Sequence, residues 1–298
     1  MTVDRRTLLK GMAAAGAAAA LGSAMEPATE ARERRVPPPD AMGMLYDATL
    51  CIGCKTCMVA CQDANGLPRD TRSSDGLYDA PDDLNSKCKN IIKLFKDGDR
   101  TSFMKAQCMH CVDPACINAC MMGSLKKREH GIVTWEGERC TGCRYCGIAC
   151  PYGVPKYEWE KAWPRVIKCE MCSDRIAKGQ QPACCEVCPR KAVIYGKYTD
   201  LLAEAQGRLA AAPDKYEPKV FGATDGGGTQ VLYLSKAGIS FQDLGLPDLG
   251  ETPAPDMQQT IQHSLYQGFV APVALFAVFG AVIWRNRNAS GGDGEVKP

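Results

Sequence analysis

Apolar positions in this chain concentrate at its two ends and are cut into short runs everywhere between. Behind Asp4-Arg5-Arg6-Thr7-Leu8-Leu9-Lys10 an Ala/Gly run continues to Ala24, followed by the polar stretch from Glu26 to Arg35. About 14 small residues are too few and too weakly apolar to span ~30 Å of hydrocarbon. The paired arginines ahead of them mark a twin-arginine export signal instead. Gly22-Ser23-Ala24 fits a small-residue cleavage site, so the mature chain is expected to start near Met25. Leu265 to Trp284 is another matter: it runs 20 residues without a charge and includes Phe269, Val273, Phe276, Phe279 and Ile283. At ~1.5 Å per residue it covers ~30 Å, which predicts a single membrane anchor. No Lys or Arg occurs between Lys236 and Arg285, and Arg285 and Arg287 follow the stretch at once. By the positive-inside rule the tail is then cytoplasmic and the body lies outside.

Between the ends, Ile91 to Phe95 and Thr101 to Lys105 flank Asp97-Gly98, a hairpin signal. Gly131 to Trp135 and Ala192 to Gly196 read as further short strands, and Asp200 to Ala212 as a helix with Thr199 as its cap. The pattern divides the chain into a signal peptide over 1–24, a linker over 25–42 and a folded domain over 43–200. An extension and linker over 201–262, the anchor over 263–285 and a tail over 286–298 complete it.

Composition changes the picture at one point. The chain has 298 residues, 45% apolar, 23% charged and 7% aromatic, an ordinary globular mixture that excludes disorder, collagen-like repeats and a multispan membrane protein. Thirty-six Lys plus Arg against 34 Asp plus Glu leave +2, so there is no general basic surface for nucleic acid. Cysteine is the outlier, at 18 residues. Sixteen of them fall into four groups of four: Cys51, Cys54, Cys57, Cys61; Cys108, Cys111, Cys116, Cys120; Cys140, Cys143, Cys146, Cys150; and Cys169, Cys172, Cys184, Cys188.

The third group, with Pro151 after it, reproduces the bacterial ferredoxin run C-x2-C-x2-C-x3-C-P. The first keeps the spacing without the proline, the second widens one gap to four residues, and the fourth opens its middle gap to eleven. Three thiolates close together can wrap one four-iron cube, and the fourth cysteine of such a run ligates the cube of a partner run. Runs therefore come in pairs, and four of them make four 4Fe-4S cubes. Loop-closing disulfides do not suit cysteines this crowded. Zinc ribbons pair two C-x2-C dipeptides per metal and leave the remaining cysteines unused. No C-x-x-C is followed by His, which removes covalent haem, and with only His110, His130 and His263 a histidine-rich metal site is excluded. The chain offers no nucleophile with a base, no Walker loop and no dinucleotide fingerprint, and Gly226-Gly227-Gly228 reads as a turn or packing feature. Nothing points to substrate chemistry. A membrane-tethered disulfide or zinc scaffold is the reading from another class.

Gly43-Met44-Leu45-Tyr46-Asp47, Cys108-Met109-His110-Cys111-Val112-Asp113-Pro114, and Cys140-Thr141-Gly142-Cys143-Arg144-Tyr145-Cys146 with Cys150-Pro151-Tyr152 resemble the four-cluster ferredoxin-like subunits of membrane-bound oxidoreductases. The resemblance extends through Gly226 to Val231 and Ile261 to Tyr266, and is closest to the iron-sulfur subunit of hydrogenase-2-type nickel-iron hydrogenases. The beta subunit of respiratory formate dehydrogenase, or a related molybdopterin oxidoreductase, is the alternative; it usually lacks a twin-arginine signal of its own. The resemblance implies an α+β fold of paired 2×(4Fe-4S) modules with insertions, plus one C-terminal transmembrane helix. It also implies the pairing of group one with four and of group two with three. One cube would then use Cys51, Cys54, Cys57 and Cys188, and its partner Cys61, Cys169, Cys172 and Cys184. A third would use Cys108, Cys111, Cys116 and Cys150, and the fourth Cys120, Cys140, Cys143 and Cys146. Cys88 and Cys185 are left as bystanders, with Cys184 preferred over Cys185. Met121 follows Cys120 where the family often has proline. The implied function is non-catalytic electron transfer at the periplasmic face of the bacterial inner membrane. Electrons would pass from a hydrogenase small subunit, beside its large subunit, to a multispan quinone-reactive membrane subunit, after delivery of the folded chain by the twin-arginine machinery.

Overall fold

In this computed structural model residues 35–68 and 82–290 are described, the side chains of 257–271 and 288–290 excepted. The signal over 1–24 and its cleavage site fall outside the described residues. Residues 34–255 form one compact unit.

Strand β1, Met42–Asp47, is buried along nearly its whole length. It can be an unbroken apolar run because it is the middle strand of three. The partners come from far along the chain: Val193–Lys197 pairs antiparallel, with Tyr46 opposite Val193, and Val231–Leu234 pairs parallel, with Met44 opposite Val231. Gly43 is required here, since a Cβ would run into the carbonyl oxygen of Gln230.

The remaining elements follow in chain order. Helix α1 is Thr56–Ala64. Strands β2, Asn90–Asp97, and β3, Arg100–Gln107, form the expected hairpin, with the two-residue loop at Gly98-Asp99 rather than Asp97-Gly98. Gly98 takes φ 57°, the sign a tight hairpin loop demands. Then come α2, Ala115–Asn118, the antiparallel pair β4, Leu125–Lys127, and β5, Val133–Trp135, and α3, Tyr145–Ala149. The pair β6, Lys156–Tyr157, and β7, Val166–Ile167, precedes α4, Ser173–Ile176, and α5, Ala183–Glu186. Strand β8, Val193–Lys197, leads directly into α6, Tyr198–Ala211. Thr199 is not its cap: the helix starts one residue earlier, no side chain caps it, and the Thr199 hydroxyl bonds Asp200 Oδ1 at 3.1 Å. Tyr198, Leu201 and Ala205 form the buried stripe of α6 and pack with Leu45, Leu232 and Leu234 of the central sheet. The sheet's third strand is β9, Val231–Leu234.

Asp47, at the end of β1, is fully buried and fully bonded. Its carboxylate accepts from Thr49 N–H (2.9 Å) and Oγ1 (2.6 Å), from Tyr216 Oη (2.9 Å) and from Arg208 Nη1 (3.0 Å). That ion pair ties α6 to the sheet next to the first cysteine group. Gly226, Gly227 and Gly228 all take positive φ, and the last accepts Val112 N–H at 2.9 Å, so the triplet is a turn that packs.

The second unit contains the 37-residue helix α7, Ala254–Ser290, with Pro272 inside it. Among the described residues no helix is long and apolar enough to cross a membrane. The first part of the expected anchor, 265–271, lies outside the described side chains.

Candidate metal centres

The cysteine groups share a plan: a tight loop carries the first two thiols and a short helix the third, a helix that begins at or just after the loop in the first three groups and follows the intervening α4 in the fourth. Cys57 and Cys61 sit on α1, Cys116 on α2, Cys146 on α3 and Cys184 on α5. The loop depends on one backbone device. In all four groups the second residue after the first cysteine is left-handed: Gly53 (φ 69°), His110 (47°), Gly142 (72°) and Met171 (53°). Alternating hands along a loop turn successive N–H groups to one side, a concavity suited to anions and common at iron-sulfur sites. Sulfur does receive such donors. Gly53 N–H points at Cys51 Sγ (3.5 Å), Met171 N–H at Cys169 (3.4 Å), Ser124 N–H at Cys120 (3.3 Å) and Ala192 N–H at Cys188 (3.2 Å).

The loops assemble across the sequence. Cys51, Cys54, Cys57 and Cys188 line one hollow, and Cys120, Cys140, Cys143 and Cys146 line another. Cys61, Cys169, Cys172 and Cys184 are close enough to perturb one another, as are Cys108, Cys111, Cys116 and Cys150. Group one thus meets group four, and group two meets group three. No disulfide joins these sixteen thiols. Among the described residues, no three His, Cys, Asp or Glu side chains close round a single point as ligands of one ion would.

Burial dominates their electrostatics. It pushes Cys57 up to about 12 against the pull of Lys105, and burial together with repulsion from Cys184 pushes Cys61 up to about 12. Thiols held up in this way ionise most readily when a multivalent cation sits among them. A four-iron cube, which takes four thiolates, fits this donor set and these hollows. Access differs between the sites. Cys54 and Cys143 are exposed, whereas no thiol of the two middle quartets is.

Of the adjacent pair, Cys184 interacts with Cys57, Cys61, Cys169 and Cys172, while Cys185 lies beside Tyr195 and meets only Cys169 and Cys184 of the quartet. A hydrogen bond from the Cys185 thiol pulls Cys184 down, and the same bond holds Cys185 up and protonated. Cys88 engages the Asn85 backbone and side chain. Met121 is 84% exposed, so the residue in the usual proline position packs against nothing.

Three polar side chains beside the thiols were not singled out from the sequence. Lys105 and Lys168 are fully buried. Burial alone would lower both ammonium groups, but the cysteine sulfurs around them, joined at Lys168 by Glu170, outweigh it and hold both above the ordinary lysine value. His110 is also fully buried; its Nδ1 accepts Val133 N–H at 3.0 Å, so its proton is on Nε2. Near the fourth quartet, Tyr157 Oη lies 3.3 Å from Cys146 Sγ and donates to Arg144 O.

Paired loops of this kind, each with its helix and flanking short strands, define a ferredoxin-type iron-sulfur protein. Residues 100–198 match the family described as 4Fe-4S dicluster domain, and residues 2–22 match the twin-arginine translocation pathway signal sequence. The chain is 37% identical to the hydrogenase-2 operon protein HybA of Escherichia coli O157:H7, over 98% of both chains. It is 32% identical to the formate dehydrogenase iron-sulfur subunit of Haemophilus influenzae, over 88% of this chain and 82% of that one. It is also 33% identical to the nitrate-inducible formate dehydrogenase iron-sulfur subunit of Escherichia coli K12, over 80% and 82%. The chain belongs to the family of the hydrogenase-2 operon protein HybA, and it carries a signal for twin-arginine export.

Proposed function

We propose that the chain is the electron-transfer subunit of a nickel-iron hydrogenase and holds four 4Fe-4S clusters, one in each quartet. The first would use Cys51, Cys54, Cys57 and Cys188, and the second Cys61, Cys169, Cys172 and Cys184. The third would use Cys108, Cys111, Cys116 and Cys150, and the fourth Cys120, Cys140, Cys143 and Cys146. The observation that carries this reading is the convergence of thiols from groups far apart in sequence into four quartets of one folded unit, two of which line hollows. When bound, the clusters supply one-electron transfer. The chain itself supplies the cages, the buried surroundings and two exposed ends, near Cys54 and Cys143, where partners can approach.

Electrons would arrive from the hydrogenase small subunit, beside its large subunit, and leave for a multispan quinone-reactive membrane subunit. Relatedness to HybA over almost the full length supports the hydrogenase reading over formate dehydrogenase, whose subunits match less of the chain. Anchoring by α7 at the periplasmic face goes with the exposed Val273, Phe276, Phe279, Ile283 and Trp284 on that helix, and with the arginines that follow. Export after folding agrees with this, because clusters are inserted before an unfolded route could carry the chain. The test is iron and acid-labile sulfide analysis of anaerobically purified protein, with identification of what co-purifies in mild detergent. About sixteen of each per chain are expected from four cubes, together with hydrogenase subunits. Stoichiometric zinc with little iron would refute the cluster reading, and a molybdenum partner would replace the hydrogenase.

A further inference from the structure

A buried ammonium group is costly unless paired, and two occur here in the interior of the cysteine array. Lys168 adjoins Cys169 of the second quartet and reaches into the third. Its Nζ donates to Val133 O (2.5 Å) and to Cys169 O (2.8 Å), and lies 3.8 Å from Cys108 Sγ. All three donors are accounted for, and two of them are tied to backbone, so the charge is fixed in place. Lys105 occupies the preceding gap. It lines the first hollow with Cys51, Cys54 and Cys57, interacts with Cys184 and Cys169 of the second, and donates to Gln107 Oε1. Among the described residues neither ammonium bonds a carboxylate. Glu170 acts on Lys168 through space only, being engaged by Lys89 Nζ at 2.9 Å and by Trp135 N–H at 3.0 Å. Lys105 is surrounded by cysteines, Tyr233 and an amide. The counter-charge that offsets burial is chiefly cysteine sulfur for Lys105, and cysteine sulfur together with the more distant Glu170 for Lys168.

We propose that Lys105 and Lys168 are positioning residues for charge: each fixes one positive charge in the gap between consecutive clusters and raises the reduction potential of the clusters on either side. The inference depends on the four-cluster reading above. An added electron is an added negative charge, and a fixed cation a few ångströms away favours the reduced state. Net charge and hydrogen bonds to sulfur are established levers on cluster potential. No bond forms or breaks at either lysine. The electron enters and leaves through the clusters, supplied by hydrogen oxidation in the partner. The gap between second and third clusters, where the two paired modules meet, is where Lys168 would keep an electron from stalling.

The experiment is a redox titration, followed by electron paramagnetic resonance, of the detergent-purified holoprotein and of Lys168→Met, Lys168→Arg, Lys105→Met and Lys105→Arg. At iron content equal to wild type, each Met variant should lower the reduced-to-oxidised ratio of its flanking clusters at least tenfold at fixed potential. That is a shift of about 59 mV for one electron. The Arg variants should stay within threefold of wild type. A Met variant that keeps its iron and titrates as wild type overturns the proposal. Should the Met variants lose iron, wild-type protein grown with 15Nζ-lysine decides the matter: hyperfine coupling of a lysine nitrogen to a reduced cluster is expected, and its absence overturns the proposal. Protein that binds no iron at all would instead bring down the four-cluster reading.

Discussion

Cys184 and Cys185 are adjacent, both buried and chemically identical, so exchanging each for serine tests the site at single-atom cost. Serine keeps the shape but replaces a thiolate by a hydroxyl that binds iron poorly. Cys184 interacts with Cys57, Cys61, Cys169 and Cys172, whereas of these Cys185 acts on Cys169 alone and otherwise adjoins Cys184, Lys105 and Tyr195. Cys184→Ser should therefore cost one cube, about four of about sixteen irons. Cys185→Ser should keep the full complement and lose at most about 1 kcal/mol for an altered hydrogen bond to Cys184. The assay is iron per chain on anaerobically purified protein, read together with two activities of the complex. Hydrogen oxidation with an artificial acceptor belongs to the partner and should survive in both variants. Quinone reduction must cross the second cluster and should collapse only in Cys184→Ser. Loss of a quarter of the iron in Cys185→Ser, with Cys184→Ser intact, would reverse the assignment. Wild-type quinone reduction in a Cys184→Ser protein shown to lack the cube would refute the relay itself.

Arg208→Met strands the buried Asp47 carboxylate with only its Thr49 and Tyr216 donors. Breaking such a pair costs ~3–5 kcal/mol when fully buried; with Arg208 at 22% exposure and three bonds kept, about 2 kcal/mol is expected. A lower thermal midpoint at matched iron content checks it, and an unchanged midpoint refutes it. Met171→Gly removes a left-handed non-glycine, which relieves ~1–2 kcal/mol, but deletes a fully buried side chain whose cavity costs ~2–5 kcal/mol. The cavity should win, giving net destabilisation in the same melting assay, whereas a stabilised variant would show that backbone strain dominates. Protease added to intact spheroplasts should digest the body and spare the tail after Arg285, and a protected body would reverse the orientation.

The sequence revealed those parts of the fold whose cause is local. The hairpin of β2 and β3 is marked by Gly98, because only a residue at ease with positive φ closes a two-residue loop, and the strand from Val193 was visible as a short β-rich run. Strand β9 was not visible. Val-Leu-Tyr-Leu is buried at every position, so it shows no alternation, and it pairs with β1, which lies far back along the chain. The Thr199 cap failed because Tyr198, apolar and buried against the sheet, draws the helix start past it. Packing outweighed a cap of about 1 kcal/mol.

The candidate site divides along the same line. Cysteine spacing displays the ligand sets because neighbours along the chain shape each cage: a left-handed residue two positions after the first thiol recurs in every group, twice as glycine, which sequence shows, and twice as His110 and Met171, which it does not. Those two hold an unfavourable backbone conformation only because both side chains are buried, so the strain is carried by tertiary packing. The lysines lie further still from anything local. In sequence Lys105 is one residue of an amphipathic hairpin and Lys168 one basic residue beside a ligand, and the ordinary expectation for lysine is solvent. What makes them different is the set of groups that folding brings round each nitrogen: carbonyls of Val133 and Cys169 and the sulfur of Cys108 about one, a glutamine and three thiols about the other. A cation can stay in such a place only if negative charge is supplied there, and burial holds Cys57 and Cys169 beside Lys105, and Cys116 beside Lys168, against ionising. The lysines and the proposed clusters therefore support each other: removing the charge should disturb potentials before it disturbs fold, and removing the iron should take away much of the negative charge that faces the two cations.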